Sequence, residues 1–251
     1  MRVLVATAVP AERDAVAAAF PAPARERVAP GVVLRSVALP GAPGPARSGD
    51  GPFAADLLAA GVGPAAAAAS AGAALAAASL GGAPYDLVVC AGIGGGFPPD
   101  APVGSLVVAD RITAADLGAE TADGFVPVTE LGFGVVTHVP PASLVREAAA
   151  ATGALTGAVL TVSTVTGSAG RAAELRRRHP EALVEAMEGF GVAEAAAAHG
   201  VPVLEVRAVS NPVGPRDRAA WRIGEALAVL TGAFGKLAPV LESWNRHDRT
   251  H

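Results

Sequence analysis

Short apolar runs rich in Val and Leu alternate with longer Ala-rich stretches along the whole chain, and no other feature narrows the fold so far. Strand character falls at residues 2–8, 32–37, 53–60, 86–91, 105–112, 133–139, 157–163 and 203–210. Helical stretches fall at 11–20, 64–79, 141–151, 169–178, 187–199 and 217–243. Strands that take turns with helices predict one α/β domain over residues 1–251, a mixed central β-sheet flanked by helices. The run 86–91 is apolar almost throughout, as suits a strand buried on both faces. Pro10 sits in a first helical turn, where its missing N–H costs nothing. Residues 41–51, rich in Pro and Gly, read as an exposed loop inserted into the domain.

Composition excludes several classes of function. Of 251 residues, 51% are hydrophobic and 17% charged, which describes a folded chain and not a disordered one. The net charge of −4 offers no basic surface for nucleic acid or an anionic membrane. Cys90 is the sole cysteine, so no intramolecular disulfide forms and no Cys-based zinc site is expected. A reducing cytoplasm suits such a chain. Glu12, Arg13 and Asp14 interrupt the apolar N-terminus too early for a signal peptide. The uncharged stretch Leu57–Leu80 is long enough to span a bilayer. Gly61, Gly63 and Pro64 break it, so it predicts a strand, a turn and a buried helix instead.

The glycine run Gly92-Ile93-Gly94-Gly95-Gly96 follows the strand at 86–91 and reads as a loop. It lacks the G-x-G-x-x-G spacing of a dinucleotide fold, and Pro98 and Pro99 stop it from opening a helix, so no NAD is expected. A tight turn at a sheet edge and a ribose-contacting loop both fit. His138, His179, His199, His247 and His251 are scattered without metal-ligand spacing, so no metal and no cofactor are expected. No G-x-S-x-G elbow occurs. Three polar segments end strands or open helices: Thr7–Glu12, Glu185–Ala193 and Val206–Asn211. Glu12 and Glu188 have a plain alternative reading as acids that complement a helix dipole. Ligands of open α/β sheets gather at the carboxyl ends of strands, which raises the interest of all three segments.

Met187-Glu188-Gly189, the run Arg207-Ala208-Val209-Ser210-Asn211 and the early Glu12 resemble the purine nucleoside phosphorylase and nucleosidase superfamily over nearly the whole chain. The layout is similar to that of methylthioadenosine/S-adenosylhomocysteine nucleosidases, which carry Ser-Asp where this chain has Ser210-Asn211. With Gly214–Arg218, Trp221, Asp116–Glu120 and Thr164–Ser168, the asparagine resembles the futalosine hydrolase branch, which serves menaquinone biosynthesis. The resemblance implies a three-layer α/β/α fold, a small nucleoside substrate, and a homo-oligomer. It implies Glu12, Glu188 and Asn211 as catalytic residues, with Glu12 as base for water and Glu188 on the ribose hydroxyls. It implies Met187, Gly92, Ile93, Thr166, Gly167 and Ser210 as substrate-binding residues. The implied reaction cuts futalosine to hypoxanthine and dehypoxanthinyl futalosine.

Asn211 separates 6-oxopurines from 6-aminopurines. An N7-protonated adenine edge presents two donors and suits a carboxylate. A hypoxanthine edge presents one donor and one acceptor, and suits an amide. The alternatives are a 6-aminofutalosine or methylthioadenosine nucleosidase, a phosphorylase, and a non-catalytic nucleoside-binding protein. Ile93 in place of a hydroxyl residue, and the negative charge of Glu12, both disfavour phosphate as the nucleophile.

Overall fold

The computed structural model describes residues 1–21, 24–38 and 54–244; the expected loop at 41–51 lies outside them. The strands are β1 (Arg2–Thr7), β2 (Arg25–Ala29), β3 (Val32–Ala38), β4 (Ala54–Ala59), β5 (Leu87–Gly96) and β6 (Leu106–Ala114), then β7 (Gly118–Thr121), β8 (Gly124–Pro127), β9 (Thr137–His138), β10 (Leu155–Thr161), β11 (Ala182–Ala186) and β12 (Val203–Pro212). The helices are α1 (Pro10–Ala17), α2 (Pro64–Leu80), α3 (Ala142–Thr152), α4 (Ala169–Arg178), α5 (Gly189–Ala198) and α6 (Ile223–Ser243). Most strands join one sheet in the order β11-β10-β6-β12-β5-β1-β4-β3-β2, with β9 on β6 and the β7–β8 hairpin separate. The sheet is mixed: β1 runs parallel to β4 and β5, whereas β12 runs parallel to β5 and antiparallel to β6.

Side chains alternate across the sheet and divide the core in two. Leu4, Ala6, Val88 and Cys90 face one layer, where α2 packs with Ala71 and Leu75 and α5 with Val192 and Ala196. Val3, Val5, Leu87 and Val89 face the other layer, closed by Val16 of α1, Leu144 of α3 and Leu230, Phe234 and Leu237 of α6. Helix α6 is long and apolar enough to cross a membrane by length and composition. Its buried stripe from Ala226 to Leu241 packs against the sheet, as in the core helix of a globular domain. The Leu57–Leu80 stretch divides into the end of β4, a turn and α2, as expected.

The glycine run corrects the sequence reading. It is no loop: Gly92–Gly96 is the second half of β5. There β5 pairs with β12 on one side and with β11 on the other, through Gly95–Glu185 and Gly96–Val184. Strands β5, β12, β6, β10 and β11 thereby close into a ring. Side chains would obstruct that closure. A Cβ on Gly94 would stand 2.6 Å from Val184 Cγ1, and one on Gly96 would overlap the Ala101 carbonyl. Strand β11 escapes sequence reading because its Ala and Glu residues carry little strand propensity, and its neighbours decide its state. Of the stretch 133–139, only Thr137–His138 is strand, and the segment before it holds the β7–β8 hairpin. The last helix begins at Ile223, after a single 3₁₀ turn at Arg218–Ala220.

Candidate functional site

The carboxyl ends of β1, β5, β11 and β12 surround a cavity of about 220 Å³. Glu12, Ile93, Thr166, Met187, Glu188, Ser210 and Asn211 all line it, together with Glu185, Arg216 and Trp221. Two residues expected to touch substrate do not line it. Gly92 lies behind the wall, and Gly167 stands beside the Arg216 side chain, 3.7 Å from its Cδ by the position of an added Cβ.

Glu12 sits in the first turn of α1, 4% exposed. Its Oε2 accepts from the Ala8 N–H at 2.9 Å and from the N–H of Val9, the N-cap residue, at 3.3 Å, a donor that a helix start leaves free. Its Oε1 accepts from the Ile93 N–H at 2.9 Å. The helix-dipole reading of Glu12 and its place in the cavity therefore both hold. Gly92 makes the room: a Cβ there would stand 2.6 Å from both Glu12 Oε1 and the Arg207 guanidinium.

Glu188 precedes α5, and its Oε1 accepts from the Gly63 N–H at 3.2 Å. Its Oε2 faces Arg207 Nη2 at 3.2 Å, while Arg207 Nε donates to Glu205 Oε1 at 2.8 Å. Arg207 is fully buried. Burial works against its charge, but the Cys90 sulfur and the carboxylates of Glu205, Glu188 and Glu12 hold its pKa above the ordinary value. Burial pushes Glu205 up from the usual carboxylate range, against the pull of Arg207. Sequence reasoning gave Arg207 no role. The available signal was an arginine amid a buried apolar strand, where a charge requires partners.

A bulge between Val209 and Asn211 shifts the register of β12 against β5 and turns the strand end toward the cavity. Ser210 Oγ donates to Asn211 Oδ1 at 2.8 Å, and Asn211 Nδ2 donates to the Pro212 carbonyl at 3.1 Å. A flipped amide would set two acceptors against each other at Pro212, so the side chain has one preferred sense. Thr166 donates to Glu185 through its N–H at 2.8 Å and its hydroxyl at 2.5 Å. The carboxylates on the wall, Glu12, Glu185 and Glu188, favour positive charge in the cavity and oppose an anion.

A wider groove of about 1010 Å³ lies against the β7–β8 hairpin. Its Arg171 and Arg178 both pair with Glu174. Among the described residues, no group of three or more His, Cys, Asp or Glu is placed to hold a metal.

The phosphorylase superfamily model matches residues 49–242. Futalosine hydrolase of Streptomyces coelicolor is 73% identical over 249 residues, covering 99% of this chain and all of that protein. The chain belongs to the futalosine hydrolase family. Within that family, futalosine hydrolase of Acidothermus cellulolyticus is 48% identical over 73% of this chain and 75% of its own length. Solved structures share the fold. A futalosine hydrolase mutant of Helicobacter pylori has a TM-score of 0.76 at 16% identity, covering 96% of this chain and 99% of its own. The methylthioadenosine/S-adenosylhomocysteine nucleosidase of Neisseria meningitidis, bound to methylthio-immucillin-A, has a TM-score of 0.77 at 18% identity, covering 95% and 99%. This futalosine hydrolase family member is thus an N-glycosyl hydrolase with the nucleosidase three-layer fold.

Proposed function

We propose that this protein hydrolyses the N-ribosidic bond of futalosine to hypoxanthine and dehypoxanthinyl futalosine, a step of menaquinone biosynthesis, through Glu12, Glu188 and Asn211. One observation carries the assignment of roles. An amide held in one sense by Ser210 and Pro212 shares a small cavity with the buried carboxylates of Glu12 and Glu188.

Bond cleavage builds positive charge on the ribose and negative charge on the purine. Glu12, fixed by three N–H donors, accepts a proton from water as the water oxygen attacks the anomeric carbon. Glu188 accepts from the ribose hydroxyls and favours the cationic sugar, and Met187 packs beside it. The C–N bonding pair leaves with the purine, which takes its proton from water because an amide has none to give. Asn211 presents Oδ1 to N7–H and Nδ2 to O6. Thr166 and Ser210 bound the base, and Ile93 closes the cavity wall.

Water is the nucleophile in this reading. Arg207, the guanidinium packed behind Glu12, is already engaged by Glu188 and Glu205 and is not free to hold a phosphate. The 5′ aromatic carboxylate of futalosine needs an apolar face and a cation. Trp221 lines the cavity with the Arg216 guanidinium 5.4 Å from its ring centre, and we assign the tail to this pair.

We further place the enzyme in the cytoplasm as a homo-oligomer. Leu117, Leu131, Phe133, Val135 and Val139 are exposed along one segment, a surface that suits a second copy of the chain.

Purified protein incubated with futalosine, with and without phosphate, tests the reaction by chromatography of the released base. Hypoxanthine formed without phosphate is the expected result. A strict phosphate requirement, or no hypoxanthine at all, overturns it. Exchanging Asn211→Asp should shift preference toward the 6-amino analogue.

A further inference from the structure

The roles above leave one buried carboxylate on the cavity wall unused. Glu185 is 6% exposed, and no salt bridge among the described residues neutralises it. Its Oε1 accepts the Thr166 N–H and its Oε2 the Thr166 hydroxyl. Each oxygen keeps a lone pair for a further donor.

Its position relative to Asn211 is set by the sheet. Gly95 of β5 is the partner of Asn211 on one side and of Glu185 on the other. Two strand spacings place those backbone positions roughly 10 Å apart. The two side chains also share a face. Val184 packs on the Gly94 side, where an added Cβ would stand 2.6 Å from Val184 Cγ1, so the next residue, Glu185, projects from the opposite face. On that face an added Cβ at Gly95 would stand 3.3 Å from Asn211 Nδ2. Asn211 and Glu185 thus line one cavity, with Gly95 between them leaving its floor free of side chain.

A 6-oxopurine carries a hydrogen on N1. A 6-aminopurine carries a lone pair there. We propose that Glu185, held by Thr166 across Gly95 from Asn211, accepts the N1–H of the base and sets the preference for 6-oxo over 6-amino purines. The proposal rests on reading Asn211 as the partner of N7 and O6. The two residues then read adjoining edges of one bicyclic base: Asn211 tests N7 and O6, and Glu185 tests N1. With 6-aminopurines the carboxylate meets another lone pair, and the pair of unmatched acceptors opposes binding.

The test compares wild type, Glu185→Gln and Asn211→Asp, with kcat/KM measured on futalosine and on its 6-amino counterpart. Glu185→Gln should lower the futalosine value at least tenfold and leave the 6-amino value unchanged or higher. Equal loss on both substrates would mark Glu185 as a mere support for Thr166, and unchanged rates would show that N1 is not read there. Either result overturns the proposal. If Asn211→Asp shifts preference and Glu185→Gln does not, only this inference fails; if neither shifts it, the reading of Asn211 fails as well. Calorimetry on the wild-type protein gives a readout free of folding defects. Hypoxanthine should bind at least tenfold tighter than 1-methylhypoxanthine, and equal affinities would overturn the proposal.

Discussion

The Ile93 N–H donates to Glu12 Oε1 at 2.9 Å, although 81 positions separate the two residues in sequence. The strand β5 therefore holds a carboxylate that belongs to α1, and the geometry of a proton acceptor depends on both. Glu12→Gln removes that acceptor and turns an amide NH₂ toward one of three backbone N–H donors. Turnover should fall about 10²- to 10⁴-fold, read as hypoxanthine release. Calorimetric binding of hypoxanthine should change little, because the base edge lies elsewhere.

Gly92→Ala tests the space behind the site. Its Cβ would press on both Glu12 and Arg207 at 2.6 Å, so the variant must move one of them. Overpacking of this kind should cost about 1–3 kcal/mol in urea unfolding and reduce turnover with it. Unchanged turnover would show that Glu12 tolerates displacement.

The acid limb of activity should carry the signature of Glu185. Burial raises its pKa above the 4.5 of an ordinary glutamate; Asp116 adds to the rise, whereas the Thr166 donors and Arg171 oppose it. As pH falls, Glu185 takes up its proton earlier than a surface glutamate and ceases to be a pure acceptor. KM for futalosine should rise on that side, and the preference over the 6-amino analogue should shrink in the same range. Glu185→Gln should remove this pH dependence of the preference.

Far from the cavity, Asp56 gathers Arg2 at 2.9 Å, Arg27 at 2.8 Å and the Tyr85 hydroxyl at 2.6 Å, with Ser36 as a fourth donor. Burial alone would raise its pKa, but these donors outweigh it and hold the carboxyl below the usual range. A depressed pKa stabilises the fold above the pKa of the unfolded chain, and that contribution is lost as pH falls through the folded value. Asp56→Ala should cost about 2 kcal/mol at neutral pH, less than the ~3–5 kcal/mol of a fully buried pair, because Arg2 and Arg27 keep contact with solvent. Urea melts at neutral and acidic pH should show the difference narrowing in acid.

Cys90 is fully buried, and burial raises its thiol pKa well above the ordinary value. The folded protein should resist alkylation by iodoacetamide, and reaction should appear only on unfolding, followed by mass spectrometry.

Local patterning along the chain sufficed for the α/β class, the placement of α2, α3 and α4, and the residues worth suspecting. Periodicity and cap residues act over a few positions, so they are legible one segment at a time. Glu12, Glu188 and Asn211 stood out because polar residues ending buried strands are exceptions to their surroundings. Every relation between neighbours distant in the chain came instead from the way the strands and helices pack. The run Gly92–Gly96 looks like a loop because glycine favours none of the regular states. It becomes a strand because β11 and β12 approach closely on both sides and leave no room for side chains. Gly92 drew notice as a contact for substrate, yet its position shows it making room for Glu12 and Arg207. Arg207 and Glu185 gained meaning in the same way. A buried charge is defined by the partners that the fold brings to it, and those partners come from strands far apart in sequence.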